Sequence, residues 1–193
     1  MSHPLDIAVL IGSLRHGSIS RKLAEILKAL APPELHLSFV EIGDLPLYNQ
    51  DFDNEKPPEA WTKFRERIQT SHGVLFVTPE YNRSIPAVLK NALDVGSRPF
   101  GRSVWNGKPG AIIGSSPGTM GGFGAVQHLR QCMVSLNVPV LQQPEVYISN
   151  VDKVFVDENG VNDSLRHFLT EFLLQYHKWI EKIFGVENVF SKT

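Results

Sequence analysis

The chain has 193 residues, 42% of them hydrophobic, and 19 Lys and Arg against 20 Asp and Glu give a formal net charge of -1. These values describe one folded globular domain, with a core from about residue 6 to 184 and a tail over 185–193, and they exclude disorder as the main state. They also leave no overall field for nucleic acid or an anionic lipid surface, and one cysteine, Cys132, can make neither an internal disulfide nor a zinc cage.

No run approaches the roughly 20 apolar residues that span a bilayer. The opening Met1-Ser2-His3-Pro4-Leu5-Asp6 carries no basic segment ahead of an apolar one, so a cytoplasmic location without membrane contact is expected. The run Ile7-Ala8-Val9-Leu10-Ile11 is continuously apolar and ends at Gly12-Ser13, the pattern of a central parallel strand buried on both faces. Ile19, Leu23, Ile26, Leu27 and Leu30 then recur at helical spacing until Pro32-Pro33 stops them. Leu35 to Ile42 alternates as a strand nearer an edge. Gly43 to Pro58 is rich in Asp, Asn and Pro and reads as a long connection. A helix carrying Trp61, Phe64 and Ile68 follows it, and Gly73 to Thr78 is a third, buried strand. Ile85 to Val95 reads as a helix with Pro86 in its first turn. Gly110 to Gly114 is a fourth strand, and Gly121 to Leu136 holds a helix. A fifth strand runs near Val138 to Ile148, and Ser164 to Phe184 forms the last helix, ahead of a tail either loose or docked on a partner subunit. Alternation of this kind produces a parallel sheet covered by helices on both faces.

In such sheets ligands bind beyond the carboxyl ends of the strands, so the loops there matter most. The first, Gly12-Ser13-Leu14-Arg15-His16-Gly17-Ser18-Ile19-Ser20-Arg21, offers glycines, hydroxyls and guanidinium groups at a helix start. Free backbone N–H groups and fixed donors are what a phosphate needs. The same residues also suit a plain turn with Ser18 or Ser20 as helix cap. They match neither GxxxxGK[ST] nor GxGxxG. Thr78 to Pro86 follows the third strand and Ser115 to Gly124 the fourth, and both offer backbone amides with few bulky side chains. A planar cofactor with a monophosphate fits three such loops better than a dinucleotide does.

Gly12-Ser13-Leu14-Arg15 with Ser18, Pro79-Glu80-Tyr81-Asn82 with Ser84, Leu89 to Asp94 and Gly107-Lys108-Pro109 closely resemble the NADPH-dependent FMN reductase family. Its relatives include bacterial chromate and quinone reductases and ferric reductase B. The resemblance covers about Ile7 to Ile183. It implies an α/β, flavodoxin-like three-layer fold with a five-stranded parallel sheet of order 2-1-3-4-5 and FMN at the crevice between strands one and three. It also implies NADH or NADPH as hydride donor, a small-molecule electron acceptor, and a homodimer or tetramer.

Carried over by motif, Ser13, Arg15, Ser18 and Ser20 hold the FMN phosphate. Pro79, Glu80, Tyr81 and Asn82 line the isoalloxazine, with Ser115, Ser116 and Gly118 at its pyrimidine side. The family often has Asn where this chain has Ser20, whose hydroxyl reaches less far. Arg83 and Arg98 are the candidate polar walls of the substrate site; Arg98 can equally be a cation at a helix C-terminus.

Because a flavin carries the hydride chemistry itself, no catalytic side chain is required, and the sequence offers no HExxH, no GxSxG and no paired metal ligands. The competing reading is a flavodoxin-like electron carrier or a flavin-binding regulatory module without NAD(P)H oxidation. Such carriers are strongly acidic, whereas this chain is nearly neutral. Cys132, His16, Tyr176, His177 and Trp179 read as structural or solvent-facing residues, and Lys90 with Asp94 as a helical surface pair.

Overall fold

The computed structural model describes residues 3–53, 56–156 and 160–190. Five strands form one parallel sheet: β1 (Leu5–Ile11), β2 (Leu35–Val40), β3 (Gly73–Pro79), β4 (Gly110–Ser115) and β5 (Val146–Ile148), in the order β2-β1-β3-β4-β5. Five helices connect and cover them: α1 (Ile19–Leu30), α2 (Glu59–Thr70), α3 (Ala87–Gly96), α4 (Phe123–Ser135) and α5 (Asp163–Phe190). The expected flavodoxin-like order is therefore present, with β2 at an edge.

The unbroken apolar runs follow from burial on two faces. Ile7, Val9 and Ile11 of β1, with Leu75 and Val77 of β3, face a core layer containing Leu23 and Leu27 of α1 and Phe172 and Tyr176 of α5. Ala8, Leu10, Val74 and Phe76 point the other way, against Trp61, Phe64, Leu89 and Leu129 of α2, α3 and α4. Period-two alternation thus distributes one apolar run between two layers, and no polar face is left to betray the strand. The aromatic residues of α5 pack as expected: the buried Tyr176 hydroxyl donates to the carbonyls of Val74 (2.8 Å) and Pro109 (3.1 Å), tying the helix to the start of β3 and β4.

Several boundaries differ from those expected. Strand β5 is only three residues long; before it, Val138 to Leu141 touch the sheet through a single bridge from Val140 to Gly110. Gly110 donates to the Pro139 carbonyl and Leu141 donates to that of Gly110, after which the chain leaves the ladder near Pro144, which has no N–H to give. Pro86 is the N-cap of α3 and not part of its first turn, and α4 starts at Phe123 after a left-handed Gly122. Helix α5 runs six residues past Phe184 to Phe190, so the first part of the supposed tail is helical, and residues 191–193 lie outside the described ones. Among the described residues no helix is long and apolar enough to cross a membrane.

Candidate active site

The carboxyl ends of β1, β3 and β4 bring three loops to one side of the sheet. Gly12 sets their spacing. Its N–H donates to the Val77 carbonyl at 2.9 Å, and a Cβ there would meet Thr78 Oγ1 at 2.9 Å and Pro79 Cδ at 3.2 Å. Only the bare backbone lets the β1–α1 loop lie this close to the end of β3.

Between the loops is a cavity of about 200 Å³ lined by Ser13, Arg15, Ser18, Ile19, Ser20, Pro79, Glu80, Tyr81, Ser115, Ser116 and Pro117. Nine of the residues singled out from sequence meet here. Ser18 also caps α1, its Oγ accepting from the Arg21 N–H at 3.3 Å, so the phosphate and capping readings of that hydroxyl coexist. Ser20, not the cap, is almost fully buried in the first turn, and Arg15 is exposed. Among the described residues the side chains of Ser13, Arg15 and Ser20 have no protein partner, while the neighbouring Arg21 is spent on Glu41 at 2.8 Å.

Glu80 is the one carboxylate in the lining, and its charge is met. Its Oε2 accepts from the Ala125 N–H (3.1 Å) and its Oε1 from Arg83 Nη1 (3.2 Å). The first contact satisfies one of the orphan N–H groups at the start of α4, which has no side-chain cap of its own. What remains facing the cavity is a donor set of hydroxyls, backbone N–H groups and one guanidinium. That chemistry fits a phosphate-bearing group such as FMN.

Asn82 and Arg83 are the centre of a tight turn in which Tyr81 and Ser84 exchange two backbone hydrogen bonds of 3.0 Å. Their φ values of 52° and 64° are those of a type I′ turn, which swings Tyr81 toward the cavity and leaves Asn82 outside its lining. The turn is fastened to α4 twice, by Glu80 on Ala125 and by the 2.6 Å contact of Ser84 Oγ with His128 Nδ1. Gly124 makes that approach possible, since a Cβ there would stand 2.9 Å from Glu80 Oε2 and 3.2 Å from the Arg83 carbonyl. Gly124→Ala is accordingly expected to cost about 1–3 kcal/mol in urea unfolding and to weaken cofactor retention; unchanged values of both would mean that the turn can shift freely.

The roles of Glu80 and His128 as fasteners were missed from sequence, because both depend on a contact between distant segments. Asn at position 82, a residue type that tolerates a left-handed backbone, is the one local signal of the turn. Gly118 lies on the β4–α4 loop next to the lining, accepting from Ser116 Oγ at 3.1 Å. Arg83, largely exposed, stands at the rim through its ion pair with Glu80.

Arg98 is elsewhere. It follows the far end of α3, whose ten residues rise about 15 Å. There it lines a groove with Asp94, Phe100 and Leu136, and its charge reaches the phenol of Tyr48, which burial and Asp53 push up and Arg98 pulls down. Within one chain Arg83 and Arg98 therefore do not share a site. Burial pushes the Cys132 thiol up, away from the reactive thiolate, and Lys90 pairs with Asp94 at 2.7 Å.

The model of the NADPH-dependent FMN reductase family matches residues 5–153. The chain belongs to that family. A quinone reductase of Pseudomonas putida is 52% identical over 181 residues, covering 94% of this reductase and 97% of the relative. A 2-hydroxy-1,4-benzoquinone reductase of a Burkholderia species is 48% identical over 178 residues, covering 91% and 96%. Among solved structures, the flavoenzyme NAD(P)H:(acceptor) oxidoreductase FerB of Paracoccus denitrificans superposes with a TM-score of 0.87 at 38% identity, covering 92% of this reductase and 98% of that chain. A flavodoxin variant of Pseudomonas aeruginosa, at 19% identity and a TM-score of 0.56, shares the fold. This reductase is thus an oxidoreductase of the kind that uses FMN and NAD(P)H.

Proposed function

We propose that the chain passes electrons from NADH or NADPH, through FMN, to quinones and similar small acceptors such as chromate, ferric chelates and azo or nitro compounds. The observation that carries this reading is the cavity at the β1/β3 crevice, where three loops present unpaired donors and a single compensated carboxylate. Two-electron transfer from NAD(P)H to the acceptor is the chemistry FMN supplies when bound.

The protein's residues have simpler tasks. Ser13, Arg15, Ser18 and Ser20 hold the phosphate through hydroxyls, a guanidinium and the first N–H groups of α1. Pro79, Glu80 and Tyr81 on one side, with Asn82 shaping the turn that presents Tyr81, and Ser115, Ser116 and Gly118 on the other, position the ring system. The pinned turn keeps Tyr81 in place as a wall, and Arg83 at the rim offers a cation to the donor or acceptor. No side chain is asked to form or break a covalent bond.

A homodimer, or a tetramer built from it, belongs to the same reading. Tyr81 and Met120, on the loops that bound the cavity, and Phe123, at the start of α4, stand about half exposed, and a second copy would cover them. Arg98 would bear on substrate only across such an interface. In Arg98→Ala the Michaelis constant for NAD(P)H is expected to rise with FMN retained; an unchanged constant removes the residue from the substrate site. A cytoplasmic location accords with NAD(P)H as donor.

The test is anaerobic rapid mixing of the purified protein with NADH or NADPH and then with a benzoquinone, following flavin absorbance. Bleaching and then rapid recovery are expected. Flavin that binds but is bleached by neither dinucleotide would replace this reading with that of a carrier or regulatory module.

A further inference from the structure

Strand β3 runs from Gly73 to Pro79, which puts the two ends of the sheet about 20 Å apart. The end remote from the FMN cavity holds another cavity, of about 580 Å³, whose walls include Ser71, His72, Arg102, Val104, Lys108 and Phe184. We propose that this cavity binds a small organic anion, with a carboxylate or phosphate head held by Arg102 and Lys108 and an apolar body against Val104 and Phe184.

The charge pattern is the first argument. Among the described residues the lining contains two cations and no Asp or Glu, in a chain whose net charge is -1. The neighbouring carboxylate, Asp6, is already engaged: Arg67 pairs with it at 2.8 Å and Ser38 donates to it at 2.9 Å. Among the described residues Arg102 has no ion pair or hydrogen bond for its guanidinium, and it is exposed to the cavity's open side. An unpaired guanidinium and an ammonium in the wall of one cavity are two positive donors that a single anion can bridge.

The second argument is that the other donors are already fixed. Lys108 Nζ donates to the Ser71 carbonyl at 2.5 Å and to that of Gln69 at 3.4 Å, so the ammonium is held at the end of α2 with a third N–H to give. Capping of α2 accounts for Lys108 but leaves Arg102 unexplained. Burial above all, then Arg67, with Asp6 opposing, pushes Lys108 down to about 8, and a bound anion would hold its ammonium charged. His72 Nδ1 accepts from the Asp6 N–H at 2.9 Å, which places the proton of the neutral ring on Nε2 as a further donor. Its ring meets that of Phe184 edge-on at 6.3 Å, giving the cavity an aromatic wall beside its donors.

The experiment uses the FMN-loaded protein, labelled with ¹⁵N and titrated with inorganic phosphate and, separately, with benzoate, against sodium chloride at matched ionic strength. With FMN in place its own phosphate site is filled. Saturable shifts of the amides of Asn106, Gly107 and Lys108 are expected with at least one of the two probes. Arg102→Glu, on an exposed loop, should weaken that binding about tenfold or more while leaving NAD(P)H turnover unchanged. Tighter binding of benzoate would support the site and make its ligand an aromatic carboxylate, and tighter binding of phosphate would support it and make the ligand a phosphorylated metabolite. Shifts no larger than with chloride, shifts confined to residues 13–20, or equal affinity in Arg102→Glu would overturn the proposal.

Discussion

Arg15→Ala is expected to fold as the parent does and to bind FMN about tenfold to a hundredfold more weakly, since a hydrogen bond to a charged group contributes about 1.5–3 kcal/mol. The loop reaches its shape without that side chain. Ser18 caps α1, Gly12 extends the pairing with β3, and the Arg15 guanidinium makes no hydrogen bond or ion pair with another described residue. Its removal therefore takes away a ligand contact and little structure. Fluorescence titration of the apoprotein with FMN and urea unfolding of the same samples separate the two effects. Equal affinity in the variant would move the phosphate away from the β1–α1 loop.

Asp53→Ala is expected to act in the opposite way, lowering stability by about 3–5 kcal/mol with the phosphate loop untouched. Asp53 and Arg65 form an ion pair of 2.9 Å whose side chains are only 5% and 11% exposed. Arg65 Nε donates to the Val95 carbonyl at 2.9 Å, and its guanidinium lies 5.6 Å from the Trp61 ring. Deleting the carboxylate leaves a buried cation without the counter-charge that Asp53 supplies among the described residues. The double variant Asp53→Ala, Arg65→Met should recover much of the loss in chemical denaturation, because no charge is then left to solvate. A loss below about 1 kcal/mol, the range of an exposed pair, would mean that water reaches the guanidinium.

Most of the fold could be read from the chain because it rests on local patterns. Unbroken apolar runs ending in Gly or polar turns marked β1, β3 and β4, and helical spacing marked α1 and α5. The boundaries that went astray are those set by partners far away in sequence. Val138 to Leu141 has the composition of a strand, yet it meets the sheet at one bridge and cedes the edge to Val146–Ile148. Helix α5 carries on through Gly185, a residue that weakens a helix without having to end it.

The candidate site divides in the same manner. Ser13, Arg15, Ser18 and Ser20 lie within eight residues of one another on a single loop, so their convergence needs only a strand, a turn and a helix. The fastening of Glu80 to Ala125 and of Ser84 to His128 joins segments more than 40 residues apart, which no spacing rule reveals. Arg98 shows the reverse: a motif neighbour of the site in sequence, it is carried by α3 to the other end of the sheet.

The outer strands limit how copies of this molecule can join. Strand β5 offers three residues, too short a row to template a continuous ladder, and on β2 the Phe39 ring sits under both Arg21 (5.2 Å) and Lys28 (5.3 Å). Arg21 is compensated by Glu41, so two such edges brought together about a twofold axis would set Lys28 against its own copy. Sheet extension into fibrils is thereby discouraged at both margins, so that any closed assembly of copies would have to form through helical faces and loop tips.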